Sequence, residues 1–141
     1  MVLAALAASA ALAKAPAGRF TVKSGAGGDV VEDALMKRSW QRATAPGTYK
    51  WQSAKAYCSG LSLQGGGWRL PDVRELQSLV DFKEPGPTID KSAFPDTEAS
   101  DYWSTTAYQP SPSSGAWVVG FYDGYSNKHG IASSYRVRCV R

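Results

Sequence analysis

Gly66-Gly67-Trp68-Arg69-Leu70-Pro71-Asp72-Val73-Arg74-Glu75-Leu76 is the stretch whose reading decides the fold. Trp68 and Leu70 are apolar positions either side of an arginine, and Pro71 then stops the extended run. Asp72 is placed to cap a helix by accepting from the amide of Glu75, and Glu75 to reach back to the amide of Asp72, the reciprocal capping box. Behind that cap Val73, Leu76, Leu79 and Val80 recur at helical spacing, which predicts a helix over 72–81 with one face in a core.

Outward from this segment the pattern changes character. Trp51, Ala54, Tyr57, Cys58 and Leu61 predict an earlier helix over 51–61, ended near Gly60. Phe20-Thr21-Val22-Lys23 alternates as a short strand. After a turn at 24–28, Asp29 to Glu32 starts a second strand, expected to continue through Leu35 and Met36 to Trp40. From Phe82 to Asp101 the chain is rich in Pro, Asp and Gly without periodicity. It reads as one long loop, of a length that is usually functional or disordered, with Phe94 as an anchor in its middle. Tyr102–Thr106, Ala116–Tyr122 and Tyr135–Val140 then alternate as strands, with a hairpin signal at Asp123-Gly124. Two helices, a long loop and a terminal antiparallel set make an α+β plan.

Composition bounds the rest. A chain of 141 residues with five Trp and seven Tyr supports one core rich in aromatic surface, and no second one. No run of 18 apolar residues exists to form a transmembrane helix. Residues 1–17 open with an apolar, Ala-rich run followed by Lys14 and Pro16. They read as a secretory leader, with cleavage after Ala13 or Ala17, ahead of a single domain over 18–141. The basic region that usually begins such a leader is missing, and the competing reading is an Ala-rich helix of the fold. Export, to the periplasm, the cell surface or the medium, makes Cys58 and Cys139 a disulfide pair; in a cytosolic protein they would be two buried thiols.

The residues resemble a known family at five separate places. Asp33 to Arg42, with Leu35-Met36 and Trp40-Gln41-Arg42, is similar to its opening strand, and Trp51 to Leu61 to its first helix. The Gly-Gly-Trp-Arg-Leu-Pro signature follows, then Tyr102-Trp103-Ser104-Thr105-Thr106 and Ala116 to Phe121, and last Tyr135 to Arg141. Order and spacing over roughly residues 20–141 resemble the Lcl C-terminal domain-like family. Lys37-Arg38-Ser39 is an insertion where that family more often runs straight on to Trp. The resemblance implies a C-type lectin-like fold, with two helices packed on twisted antiparallel sheets, long irregular loops and one disulfide between first helix and last strand. It also implies recognition rather than catalysis. The family's named member ends a collagen-like adhesin that binds glycosaminoglycans and trimerises. The sequence has no collagen triplets, so adhesion and the trimer are not carried over from that member directly, and an oligomer stays open.

Catalytic and cofactor chemistry finds little footing in the sequence. The single histidine, His129, lies in a polar Asn127-Lys128-His129-Gly130 turn, and no Gly-x-Ser-x-Gly elbow presents a serine to it. With both cysteines assigned to a bridge, no thiolate is left for oxidase chemistry. The glycine runs at 25–28 and 65–67 lack what a phosphate loop requires. Calcium-type triplets are replaced by Glu84-Pro85-Gly86 and Trp103-Ser104-Thr105. Asp90, Asp96, Glu98 and Asp101 read as a solvated acidic loop rather than a ligand set. No metal, cofactor, nucleic acid or membrane-spanning segment is expected.

Charge patterning points to a ligand surface instead. The net charge is +4, and residues 127–141 contain Lys128, Arg136, Arg138 and Arg141 without an acid. By strand alternation Arg136 and Arg138 share the face opposite Val137 and Cys139. With Lys128, His129 and Arg141 they predict a patch for sulfated or carboxylated polysaccharide, whose planar anions the guanidinium fork matches. The competing reading pairs one or both arginines with acids inside the fold, and Arg69 reads as a structural anchor beside Trp68. Tyr102, Tyr108, Tyr122 and Tyr125 are candidates for stacking on sugars. The rival to a polysaccharide is a protein partner in the cell envelope, gripped by loop 82–101 and the Tyr-rich loops.

Overall fold

The computed structural model describes residues 16–141; the expected leader lies, apart from residues 16 and 17, outside the described residues. Two three-stranded antiparallel sheets and two helices make up an α+β domain. The first sheet is β1 (Phe20–Gly25), β2 (Gly28–Asp33) and β3 (Arg38–Gln41), ordered β1-β2-β3. Helix α1 (Trp51–Gly60) and the short α2 (Val73–Gln77) follow. The second sheet is β4 (Asp101–Ala107), β5 (Gly115–Gly120) and β6 (Ser126–Gly130), ordered β4-β5-β6.

The C-terminal segment holds the parts together. Tyr135 bridges Tyr49, Arg136 bridges Tyr102, and Val140 bridges both Trp40 and Arg69. One apolar cluster gathers Trp51, Ala54, Cys58, Trp68, Leu70, Trp103, Val118, Val137 and Cys139. A second gathers Val31, Trp40, Leu76, Leu79, Ile89, Phe94, Tyr102, Val119, Phe121 and Val140. Three of the tryptophans that fill these clusters donate their indole N–H to backbone carbonyls, Trp51 to Ser104, Trp68 to Leu63 and Trp103 to Tyr49, at 2.7–2.8 Å. Each therefore buries a large apolar surface without stranding its polar atom.

Several elements differ from the sequence expectation. The strand foreseen from Asp29 to Trp40 is a hairpin. The Asp33 carboxylate accepts the amides of Leu35 and Met36, both at 3.1 Å, and the Arg19 guanidinium through two bonds at 3.0 and 2.8 Å, and the chain turns there. Burial alone would raise the pKa of that carboxyl, but Arg19 and the two amides outweigh it and hold it below the usual carboxylate range. Helix α2 is shorter than the 72–81 forecast. The Ser78 hydroxyl donates to the Glu75 carbonyl at 2.6 Å and its amide is shared among three carbonyls, which tightens and ends the turn. The polar turn expected at 127–130 is the edge strand β6, whose lack of alternation follows from its exposure on both faces. Residues 135–140 form no regular strand but thread between the two sheets, so Val137, Arg138, Cys139 and Val140 are all buried. The long loop 82–101 is irregular as foreseen, with Ile89 and Phe94 fully buried as its anchors.

Cys58 and Cys139 form the disulfide, both sulfurs inside the first apolar cluster. The bridge joins α1 to the C-terminal segment and closes most of the domain into one loop, which in the chain-entropy account stabilises it by about 4 kcal/mol. The paired Cys58→Ala, Cys139→Ala substitution is expected to cost about 3–4 kcal/mol in urea unfolding. The denatured, unreduced wild-type chain is expected to give no free-thiol signal. A full thiol titre would exclude the bridge.

Candidate binding surface

The terminal cations were expected on one face, and the structure separates them. Arg138 is 1% exposed. Its guanidinium donates to the Thr97 hydroxyl at 2.9 Å, the Arg42 carbonyl at 3.1 Å, the Thr44 hydroxyl at 3.0 Å and the Asp96 carboxylate at 3.2 Å. It also lies 4.7 Å from the Phe94 ring centroid. Arg138 is thus a buried clamp between the long loop and the segment after β3, and its placement in a ligand patch is corrected. The alternation that placed it outward fails because the segment is covered on both sides.

Arg136 is held by the Glu98 carboxylate at 2.6 Å and the Gly47 carbonyl at 2.9 Å. Arg141 donates to the carbonyls of Gln64 and Gly66 at 2.9 and 2.7 Å and lies 4.6 Å over the Trp68 ring. Lys128 and His129 are strand neighbours in β6 and so face opposite ways. Lys128 reaches the Tyr108 hydroxyl at 2.9 Å, while the His129 ring stacks on Tyr135, 4.6 Å between centroids, with Nε2 3.2 Å from the Asp101 carboxylate.

Of the four tyrosines, Tyr102 is buried and packs edge-on against Phe121, and Tyr108 is half-buried against Trp117. Tyr122 and Tyr125, on the turn between β5 and β6, are 49% and 66% exposed, and Phe82 at the start of the long loop is 63% exposed. The Phe82 and Tyr125 rings lie 5.7 Å apart. Gly124 makes this possible: it has φ +84°, and a Cβ there would meet Phe82 Cε1 at 2.6 Å. The loop acids serve the backbone and the arginines. Asp90 accepts the amides of Ser92 and Ala93, Asp96 those of Thr44 and the Arg138 fork, and Glu98 takes Arg136. Among the described residues no group of three or more His, Cys, Asp or Glu side chains is placed to hold a metal ion.

A different set of cations comes together. Glu75, buried at the head of α2, completes the capping box with Asp72, and its two oxygens receive Arg69 in a fork of 2.7 and 2.7 Å. The same carboxylate accepts Arg38 Nε at 2.8 Å. The Arg69 fork is the main reason its pKa falls from an ordinary 4.5 to about 2, with Arg38 and the Asp72 amide adding and burial opposing. The outer parts of both guanidiniums stay in solvent, Arg38 42% and Arg69 48% exposed. Lys37, Arg38 and Arg141 line one shallow groove of about 310 Å³ with Glu32, Asp33 and Ser39. Three cations thus face two carboxylates there, of which Asp33 is already paired with Arg19; Arg69 joins Arg38 through their shared partner Glu75. Sequence reading missed this cluster. The Lys37-Arg38 insertion was visible, but its partner Glu75 lies 37 positions away, and no local pattern spans that distance.

The signature and its arginine fork sit within the part of the chain, residues 29–141, that matches the family model described as Lcl C-terminal domain. The chain belongs to that family. The Gly-Gly-Trp-Arg-Leu-Pro signature accordingly has a structural role here: Trp68 fills the core, Arg69 and Val140 exchange backbone bonds at 2.9 Å, and Arg69 also carries the fork to Glu75. No curated protein matches the chain significantly.

Two outcomes follow from this geometry. Glu75 titrates at a lower pH folded than unfolded, so its contribution is complete above about pH 4.5 and is lost as pH falls towards 2. Glu75→Gln is expected to lower stability by about 2 kcal/mol at neutral pH, screening by solvent at the half-exposed arginines included. In urea titrations the wild type and the variant should converge near pH 2, and parallel curves would exclude the fork as the source. Arg138→Gln should cost about 3 kcal/mol, as breaking a buried charged network does. Retention of the folded variant on a heparin column should not change.

Proposed function

We propose that this domain is a non-enzymatic recognition module of C-type lectin-like fold that binds an acidic polysaccharide outside the cytoplasm. The ligand surface is the groove of Lys37, Arg38 and Arg141 together with Arg69, rather than the terminal run of cations. The observation that carries this reading is the convergence of two half-exposed guanidiniums on one buried carboxylate. Glu75 takes the Arg69 fork and the Nε of Arg38, whose Nη1 turns to the Lys37 carbonyl; both side chains stay half-exposed, with N–H groups and positive charge left for planar anions such as sulfate esters or uronates. Family membership supports a recognition role. The internal disulfide fits an oxidising compartment, and a bridge from first helix to C-terminal segment, with two small sheets, fits the fold. Among the described residues no helix is long and apolar enough to cross a membrane.

A second reading rests on Phe82, Tyr122 and Tyr125. Large rings exposed to this degree on two neighbouring loops are a feature of protein contact surfaces. Such a partner would bind with little dependence on salt, and Tyr125→Ser would weaken it while leaving polysaccharide binding unchanged.

Lys37 has φ 55°, a backbone that asparagine tolerates, so Lys37→Asn with Arg38→Gln removes two charges with little strain at the turn. That pair is expected to elute from heparin at clearly lower salt than the wild type, whereas Lys128→Gln elutes with it. Unchanged retention of the Lys37, Arg38 pair would overturn the groove as the binding surface.

A further inference from the structure

The chain's single histidine is engaged with a carboxylate that has little else to satisfy it. Asp101 opens β4, and its Oδ2 lies 3.2 Å from Nε2 of His129 on β6, within ion-pair range but without hydrogen-bond alignment. Its Oδ1 is buried and meets no donor. The surroundings close the pair in. At Gly120 of β5 a Cβ would stand 2.7 Å from Tyr122 Cε1 and 3.0 Å from Asp101 Oδ1, so the missing side chain admits both groups. Tyr135 stacks on the imidazole. Asp123, in the turn, adds negative charge, and burial holds the Asp101 carboxyl above the usual carboxylate range against the pull of the imidazole. The remaining charged neighbours are committed elsewhere: Arg136 to Glu98 at 2.6 Å, and Lys128 to Tyr108 on the other face of β6.

We propose that the Asp101–His129 pair is a pH-sensitive latch on the turn 121–125, which presents Tyr122 and Tyr125: closed when the imidazole carries a proton, loosened when it does not. A buried carboxylate is costly unless a cation faces it, and imidazole is the side chain whose charge ordinarily changes between pH 5 and 8. The latch ties the two outer strands of the second sheet across β5. When the imidazole is neutral, Asp101 is left with one oxygen bare, the other poorly aligned, and Asp123 repelling it. Opening the turn then returns the carboxylate to water. The latch belongs to the second sheet, whereas the cationic groove is lined from the first, and it stands whether or not that groove binds polysaccharide.

Amide hydrogen exchange on the intact chain tests it. Gly120 donates to the Tyr125 carbonyl and Gly124 to the Gly120 carbonyl, so their amides report the turn. Corrected for intrinsic rates, their protection is expected to be roughly tenfold higher at pH 5.5 than at pH 8. The difference should vanish in His129→Gln and in Asp101→Asn. An equal rise in the variants, or no rise in the wild type, overturns the latch. Should the variants fold poorly, the wild type suffices: the His129 Cε1 proton and the Tyr122 ring protons are expected to titrate with one shared midpoint in NMR spectra. Tyr122 resonances that ignore the imidazole midpoint would overturn it as well.

Discussion

Three parts of the chain on the first sheet's side of the molecule converge on one carboxylate. Glu75 receives the Arg69 fork from the signature, Arg38 from β3 and the Asp72 amide from its own helix. The last of these makes half of a capping box; the others tie the signature just before it and the distant strand β3 to the head of α2. A helix of five residues is too short to stand alone, and it is this set of bonds, with Leu76 and Leu79 beneath it, that fixes its position. The same carboxylate determines the electrostatics of the surface above it. A buried glutamate with two half-exposed arginines is locally positive, so the anchor of the fold and the proposed anion surface are one arrangement seen from inside and from outside.

Arg138 shows the other use of a cation. Its guanidinium is fully inside, spread over two hydroxyls, a carbonyl and one half-exposed carboxylate, with an aromatic ring against it. Its Nε has no partner, and burial lowers its pKa. Such a group contributes specificity more than stability: it joins the segment after β3, the long loop and the C-terminal segment in a single geometry. That explains how a loop of Pro, Asp and Gly stays ordered. Phe94 and Ile89 bury its middle, and Asp96, Thr97 and Glu98 hand their oxygens to arginines of the last segment.

The two faces so produced differ in chemistry. The groove beside β3 is cationic and polar. The rim formed by the β5–β6 turn and the start of the long loop is aromatic, with Asp101 and Asp123 beneath or beside it. Binding at the first, as proposed, would be governed by charge and salt, and at the second by burial of ring surface. The Asp101–His129 pair would make only the second sensitive to pH near neutrality.

The sequence by itself determined what depends on neighbours in the chain. The capping box at Asp72 and Glu75, the helix from Trp51, the irregular loop with its Phe94 anchor and the strands around Trp103 and Val118 all rest on spacings of a few residues, where periodicity and capping rules operate. The single pair of cysteines left one disulfide to consider. What only the tertiary structure decided depends on burial across long separations. Arg138 alternates like an outward residue but is enclosed because its segment passes between two sheets. Residues 126–130 show no apolar alternation because an edge strand exposed on both faces needs none. The arrival of Arg38 at Glu75, 37 positions away, and of Asp101 at His129 joins groups far apart in the chain, and their spacing in space follows from the packing of the core rather than from any local pattern.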